Sequence, residues 1–234
     1  MDLLQYLCKH REGKGKKKAK AKPEYLHKFL GFCVTNLDQY QAKITSQEGS
    51  DWRIKEALMY AIGILKDEIF TQKELKAQME QMLITYILPE LQSEQPFMRL
   101  RACQVYGYYG SLNFKDESHV QKICEGIFNN MAESQPLPVR FYAACALEVI
   151  LKIDIAAKFI APGMDVMLKT YLKLMNEFDN EELVSAFENI MTIFQNEIRP
   201  YAIDICTHLT TMYKRCIAAD AAGGDEWGES ILAA

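Results

Sequence analysis

The sequence predicts an all-α fold of consecutive antiparallel helix pairs, and two observations support this fold class. Apolar residues recur mostly at spacings of three and four, as in IKEALMYAIGIL (54–65) and MEQMLITYIL (79–88), and this spacing is typical of amphipathic helices. Turn signals also divide the chain at regular places: SQEGSD (46–51), SEQP (93–96), ESQPLP (133–138) and FDNEE (178–182). Each segment between two turns has room for a pair of helices.

The helix pairs superimpose on one another as a repeat. A charged residue follows each turn, and a small or apolar residue comes three positions later. The charged residues are Lys55, Arg99, Arg140 and Glu182, at intervals of 44, 41 and 42 residues. A helical unit of ~40–47 residues is typical of HEAT and armadillo repeats. The sequence therefore predicts a HEAT-repeat α-solenoid, a superhelix of antiparallel helix pairs.

Each repeat divides into a first helix, A, and a second helix, B. Helices at 3–10 and 24–45 precede the first full pair. Pro162 and Pro200 fall at the first position of their B helices, where a missing N–H group costs nothing, whereas Pro89 is expected to bend or end its helix. The A helices are predicted near 51–70, 97–113, 137–153 and 181–195. The B helices are predicted near 73–92, 117–132, 162–177 and 200–217.

Residues 1–234 are predicted to form a single HEAT-repeat array that is a fragment of a longer chain. Residues 1–50 make a partial repeat with a Lys-rich loop at 11–23, and residues 219–234 contain an acidic loop and the start of a further helix. A terminal repeat normally has a polar outer face, whereas WGESILAA begins a new apolar helix. The full repeats are assigned to 51–92, 96–133, 137–178 and 180–218.

Positive charge is concentrated in one short segment of an acidic chain. The protein has 27 basic and 31 acidic residues, and residues 9–28 contain nine of the basic and two of the acidic ones. The other 214 residues therefore carry 18 basic and 29 acidic side chains. Because proteins that bind duplex DNA spread Lys and Arg over one face, we expect no direct nucleic-acid binding.

The Lys-rich segment GKGKKKAKAK (13–22) has three interpretations. Lysines that alternate with Gly and Ala offer little apolar surface for packing, which favours a flexible loop between two helices. Short Lys-rich stretches also serve as nuclear localisation signals. In the third interpretation, the loop folds onto an acidic face of the same protein and competes with its partners.

The sequence contains few patterns that would indicate a membrane span, a disulfide framework, a metal site or a catalytic site. No uncharged apolar run approaches the ~18 residues of a membrane span, and seven cysteines without a CxxC pair fit a reducing, intracellular compartment. There is no phosphate-binding glycine loop, no GxSxG and no HExxH. Cys103, Cys124 and Cys145 recur every 21 residues, which indicates equivalent places on successive helices. We expect no enzyme activity, no cofactor and no metal. One set of four residues matches no standard zinc spacing: Cys8, His10, His27 and Cys33.

Segments in unbroken order over most of residues 51–217 resemble a known family. They are KEALMYAIGIL, QMEQMLITYILPEL, FMRLRACQVYGYYGSLNFK, PLPVRFYAACALEVIL, FIAPGMDVMLKTYLKLMNEFDNEELV and IRPYAIDICTHLTTMY. These segments resemble the central repeats of the importin-β superfamily of nuclear transport receptors, in particular its importin-seven and importin-eight branch. The loop REGKGKKKAKAKP is composed differently from the corresponding loop of that branch, and AADAAGGDEWGES is a short version of its acidic loop.

The resemblance implies a receptor that shuttles between the nucleus and the cytoplasm. Such a receptor binds cargo proteins, passes the pore by contacting FG-nucleoporins, and releases cargo to RanGTP, which would bind N-terminal repeats missing from this chain. The family analogy places the B helices on the concave face, where acidic residues would attract basic cargo such as ribosomal proteins or histones. The candidate cargo-binding residues are Glu74, Glu80, Glu90, Glu117, Glu125, Asp165 and Asp204.

Aromatic residues crowd the second A helix and suggest a second kind of contact. In the family, FG phenylalanines insert between neighbouring A helices, so the candidate FG-contact residues are Phe97, Tyr106, Tyr108 and Tyr109. An aromatic stripe at helical spacing also packs in a core, and Tyr108 and Tyr109 cannot both face inward with Tyr106.

A different class of function remains open at this stage. HEAT arrays also serve as cytoplasmic scaffolds that organise protein complexes without Ran or nuclear pores, and the fold alone does not decide between the two. The resemblance favours transport, and binding of FG peptides would discriminate between the alternatives.

Overall fold

The computed structural model describes residues 3–9, 24–46, 51–178 and 180–221, and none of these residues lies in a β-strand. The chain forms two compact units, residues 1–162 and residues 163–234. The first unit contains α1 (Leu3–Lys9), α2 (Glu24–Thr45), α3 (Trp52–Ile64), α4 (Lys66–Phe70), α5 (Lys73–Met82), α6 (Pro96–Tyr109), α7 (Glu117–Asn129), α8 (Leu137–Ile150) and α9 (Ala156–Ile160). The second contains α10 (Met164–Glu177), α11 (Glu181–Ile193) and α12 (Ala202–Ala221). The all-α HEAT-repeat fold is confirmed, whereas the single array and its repeat boundaries stay predictions.

The A helices α3, α6 and α8 pack side by side in the first unit. Glycine makes this close packing possible at two places. A Cβ atom at Gly63 would lie 2.8 Å from Cδ2 of Tyr108, and a Cβ at Gly110 would overlap the side chain of Val149. The A helices are therefore in direct contact near their C-terminal ends.

The B helix predicted at 73–92 is not a regular α-helix. After α5 it continues as a π-helical turn, Leu83–Ile87, and then as a 3-10 turn, Leu88–Gln92. Pro89 lacks an N–H group and cannot continue the α-helical hydrogen bonding. Tyr106 donates its hydroxyl to the Leu83 carbonyl at 3.2 Å, and Asn130 donates to the Leu91 carbonyl at 2.8 Å. Side chains from α6 and from the end of α7 thus bind backbone carbonyls of the irregular segment.

The repeated charged position has a structural role in the first unit. Lys55, in the first turn of α3, forms a buried ion pair with Glu90. Arg99, in the first turn of α6, donates to the carbonyl of Ser93 at 2.5 Å and to the side chain of Gln135 at 2.8 Å. Arg140, the equivalent residue of α8, is also buried. Lys55 and Arg99 therefore tie the start of an A helix to neighbouring turns.

Among the described residues of the second unit, α10 packs against α11 and α12. Asn180 caps α11 by accepting hydrogen bonds from the backbone N–H groups of Glu182 at 2.8 Å and Leu183 at 3.3 Å, as expected for an N-cap asparagine. The rings of Tyr171 and Phe187 pack 5.9 Å apart between α10 and α11. A 3-10 turn, Arg199–Tyr201, contains Pro200 and leads directly into α12.

Candidate partner-binding surfaces

Three of the predicted acidic residues are exposed on two B helices of the first unit, α5 and α7. Glu74 is in the first turn of α5, and Glu117 and Glu125 lie near the two ends of α7. The Glu125 carboxylate accepts a hydrogen bond from Gln121, one turn earlier, at 2.8 Å. All three side chains are exposed, and their contact with cargo stays a prediction.

Glu80 has a structural role that the sequence did not predict. Its carboxylate accepts the backbone N–H groups of Lys115 at 2.9 Å and Asp116 at 3.2 Å, and it lies 2.9 Å from Nδ1 of His119. Burial opposes ionisation, but the hydrogen bonds from His119 and from both backbone groups outweigh it, so the pKa of Glu80 is lower than its ordinary value. Glu80 therefore joins α5 to the start of α7, and its carboxylate oxygens are already hydrogen-bonded within the protein.

The prediction that Glu90 faces a partner needs correction. Glu90 is buried, and its Oε1 lies 2.5 Å from Nζ of Lys55. The 3-10 turn after the π-helical segment directs this side chain into the first unit. A carboxylate held in this way is not available to a cargo protein.

The other two predicted acidic residues line one groove in the second unit. The groove has a volume of about 240 Å³ and lies between α10 and α12. Asp165, in the first turn of α10, is hydrogen-bonded to Lys169 at 2.8 Å, and Asp204 lies exposed in the first turn of α12. The groove is lined by Asp165, Leu168, Lys169, Leu172, Tyr201, Asp204, Ile205, Thr207 and His208.

Two of the four candidate FG-contact residues are core residues, which corrects their assignment. Tyr106 and Tyr109 are fully buried, and the Tyr109 hydroxyl donates to the Ile62 carbonyl at 2.9 Å. Burial raises the pKa of both phenols well above the ordinary value. Each hydroxyl is thus satisfied inside the protein, and neither ring can contact a nucleoporin.

The other two candidates, Phe97 and Tyr108, lie at the surface. Phe97 is 62% exposed, and its ring stacks on Trp52 with a centroid distance of 5.8 Å and an interplanar angle of 2°. The guanidinium of Arg53 lies 4.9 Å from the centre of the Trp52 ring. Tyr108 is exposed, but one side of its ring packs against Gly63. Trp52 was missed by sequence reasoning, although it opens α3 much as Phe97 opens α6.

Most of the cysteines in the described segments are buried thiols. Cys8, Cys33, Cys103 and Cys124 are buried, and burial raises the pKa of Cys103 to about 12. His10, one of the four residues weighed as zinc ligands, lies outside the described residues. Within 3–9, 24–46, 51–178 and 180–221, no three His, Cys, Asp or Glu residues are placed to hold a metal ion. In the same ranges, no helix has both the length and the apolar character needed to cross a membrane.

The fold defines this chain as a HEAT-repeat protein, and comparison with known proteins shows its family. The family described as importin-9 central HEAT repeats matches residues 28–157. The chain is 32% identical over 203 residues to the importin beta-like SAD2 homolog of Arabidopsis thaliana and 28% identical over 208 residues to a probable importin-7 homolog of Dictyostelium discoideum. It is 26% identical over 203 residues to human importin-8.

These alignments cover 87%, 89% and 86% of the chain, respectively, and 19% of each relative. The chain thus spans about a fifth of the length of these relatives. It belongs to the importin-β family, near the importin-7 and importin-8 branch.

Proposed function

We propose that this chain is a cargo-binding segment of a nuclear import receptor, which carries basic proteins through nuclear pores under Ran control. The observation that carries the proposal is the family match to importin-9 central HEAT repeats over residues 28–157. Relatives named importin-8 and importin-7 homolog align along most of the same chain. A receptor of this kind acts by binding and release and needs no catalytic group, and it shuttles between nucleus and cytoplasm.

Charge supports basic proteins, such as ribosomal proteins or histones, as the cargo. Glu74, Glu117 and Glu125 project from α5 and α7 into solvent, and the protein carries a net charge of −4 in spite of its Lys-rich segment. Complementary charge raises the rate and the specificity of association more than the affinity. In this proposal, the B helices of one HEAT array, with repeats at 51–92, 96–133, 137–178 and 180–218, present these carboxylates to cargo.

Contact with FG-nucleoporins is proposed at the stack of Trp52 and Phe97, at the N-terminal ends of α3 and α6. One face of the Phe97 ring is covered by Trp52, and the residue is 62% exposed, so a phenylalanine from an FG repeat can pack beside it. The C-terminal ends of the same helices offer less room, because Tyr108 lies directly on Gly63. RanGTP would bind repeats of the longer receptor outside this chain.

Binding of labelled peptides to the 234-residue chain tests the proposal. A lysine-rich histone-tail peptide should bind, an acidic peptide of the same length should not, and the affinity should fall between 0.1 M and 1 M salt, because the Debye length shortens from ~10 Å to ~3 Å. In a second measurement, a labelled FG-repeat peptide should also bind the chain. Equal binding of the basic and acidic peptides, together with no binding of FG repeats, would favour a HEAT scaffold unrelated to nuclear pores.

A further inference from the structure

The groove between α10 and α12 combines an apolar floor with an acidic rim. Leu168 and Leu172 of α10 and Ile205 of α12 form the floor and are only 2–5% exposed. Asp165 and Asp204 lie at the rim, one on each helix. Its volume of about 240 Å³ is below the ~300–1,000 Å³ usual for pockets that enclose a whole small molecule. The dimensions therefore suit a single side chain.

A cation of this protein already lies at the rim of the groove. Nζ of Lys169 is 2.8 Å from Oδ2 of Asp165, one helical turn away. Asp165 is the main cause of the raised pKa of Lys169, and the charge of Asp204 adds to it. Both carboxylates of the rim therefore act on the same primary ammonium. This interaction shows which chemical group the rim attracts.

We propose that this groove binds the side chain of one lysine from a basic partner, and that Lys169 competes with that lysine for Asp165. The inference rests on the proposed cargo-binding function and adds a specific subsite and an internal competitor. The aliphatic stem of the partner lysine lies over Leu168 and Ile205, and its ammonium lies between the two carboxylates. Long cationic side chains commonly bury an apolar stem while their charged end stays in water.

The ion pair of Lys169 with Asp165 is weak enough to be displaced. The two side chains are 73% and 46% exposed, and exposed pairs at a spacing of four residues stabilise a helix only slightly. Displacement leaves Lys169 hydrated in solvent, because its Nζ is on a flexible stem. The partner lysine gains the Asp204 carboxylate in addition to Asp165, because both carboxylates line the groove.

Titration of the 234-residue chain with a peptide of alternating glycine and lysine tests this proposal. Lys169→Gln should tighten peptide binding about two- to fivefold, the factor that corresponds to an exposed ion pair. Lys173→Gln is the matched control, because Lys173 is also exposed on α10 but does not line the groove. Asp204→Asn should weaken binding by a similar factor, and Glu188→Gln on α11 controls for the loss of one carboxylate.

Methyl chemical shifts give the second measurement. The peptide should shift the methyl resonances of Leu168 and Ile205, and a peptide with norleucine in place of lysine should not. If the peptide binds but K169Q behaves like K173Q and these methyl groups do not shift, the groove proposal is wrong while the proposed cargo binding stands. If neither the wild-type chain nor any variant binds the peptide, both proposals are overturned.

Discussion

Lys55 and Glu90 form an ion pair inside the first unit, with Nζ 2.5 Å from Oε1 and side chains that are 1% and 11% exposed. The Lys55 ammonium also lies 5.2 Å from the centre of the Tyr40 ring. Removing two charges from water is costly, and the cost is offset only when each charge finds its partner. This pair therefore fixes the first turn of α3 against the 3-10 turn at the end of the following B helix.

Substitutions at the two residues of this pair should destabilise the protein non-additively. Lys55→Met leaves the Glu90 charge buried, and Glu90→Gln leaves that of Lys55, so each single change should lower the free energy of unfolding by about 3–5 kcal/mol. The double variant should lose clearly less than the sum of the two. Urea unfolding of all four proteins measures the coupling, and additive losses would show that the two charges do not depend on each other.

Alanine substitutions at two glycines where α6 packs on α8 should change the stability of the protein in opposite directions. At Gly107 a Cβ would meet Ala146 at 3.8 Å, an ordinary contact, and alanine should stabilise α6 by up to ~1 kcal/mol, its advantage in helix propensity. At Gly110 a Cβ would overlap Val149, and alanine should destabilise the protein by about 1–3 kcal/mol because of overpacking. Thermal unfolding of the two variants should separate them in sign. A rise in midpoint for G110A would contradict the close packing of α6 on α8.

Acid should weaken the link between α5 and α7 by protonating Glu80. The pKa of Glu80 is lowered in the folded protein, so its stabilising contribution is complete above its ordinary pKa of ~4.3 and is lost as the pH falls through the folded value. E80Q should therefore lower the free energy of unfolding at pH 7 but flatten its decline below pH ~4.3. Urea unfolding across this range, with E125Q as the control for loss of one carboxylate, makes the comparison. The same acid dependence in wild type and E80Q would contradict this role.

The sequence predicted the positions of helices better than the role of individual residues. The helical spacing of apolar residues placed α2, α7 and α11 close to their observed bounds, because a solenoid buries one face of each helix against its neighbours in sequence. The π-helical turn at Leu83–Ile87 was not predicted. The Leu83 carbonyl in this turn accepts the hydroxyl of Tyr106, and the Leu91 carbonyl in the following 3-10 turn accepts the side chain of Asn130, residues 23 and 39 positions away from their acceptors. Such contacts leave no local pattern.

At the candidate sites, the sequence likewise did not show which charged and aromatic side chains are buried. Glu74 and Glu80 both lie on α5, but Glu74 is exposed, whereas Glu80 accepts the backbone N–H groups of Lys115 and Asp116 at the start of α7. Tyr106 and Tyr109 are three positions apart and face the core together, whereas Tyr108 does not. The helical period excluded three inward tyrosines, but which of them faces outward depends on the rotation of α6 against its neighbours.

Phe97 and Tyr108 should contribute unequally to binding of FG repeats. Phe97→Ala removes an exposed ring that stacks on Trp52. Tyr108→Ala removes a ring that packs on Gly63, near the C-terminal ends of α3 and α6. F97A should weaken binding of an FG-repeat peptide at least fivefold, since a truncated aromatic anchor typically costs more than 1 kcal/mol. Y108A should change it less than twofold, or about 0.4 kcal/mol. Fluorescence anisotropy with a labelled FG peptide measures both, and a larger loss for Y108A would move the contact to the other end of the helices.

Reversing the charge of the exposed glutamates on the B helices α5 and α7 should slow the association of basic cargo. The triple variant Glu74→Lys, Glu117→Lys and Glu125→Lys removes charges that are exposed on α5 and α7, and it leaves the structural residues Glu80 and Glu90 in place. The control reverses three exposed glutamates away from these helices, Glu94, Glu188 and Glu197, and has the same net charge. Because rim charges act mainly on the association rate, stopped-flow binding of a histone-tail peptide should show slower association for the first variant and little change in dissociation. If both variants slow association equally, only the total charge matters, and the B helices have no special part in cargo binding.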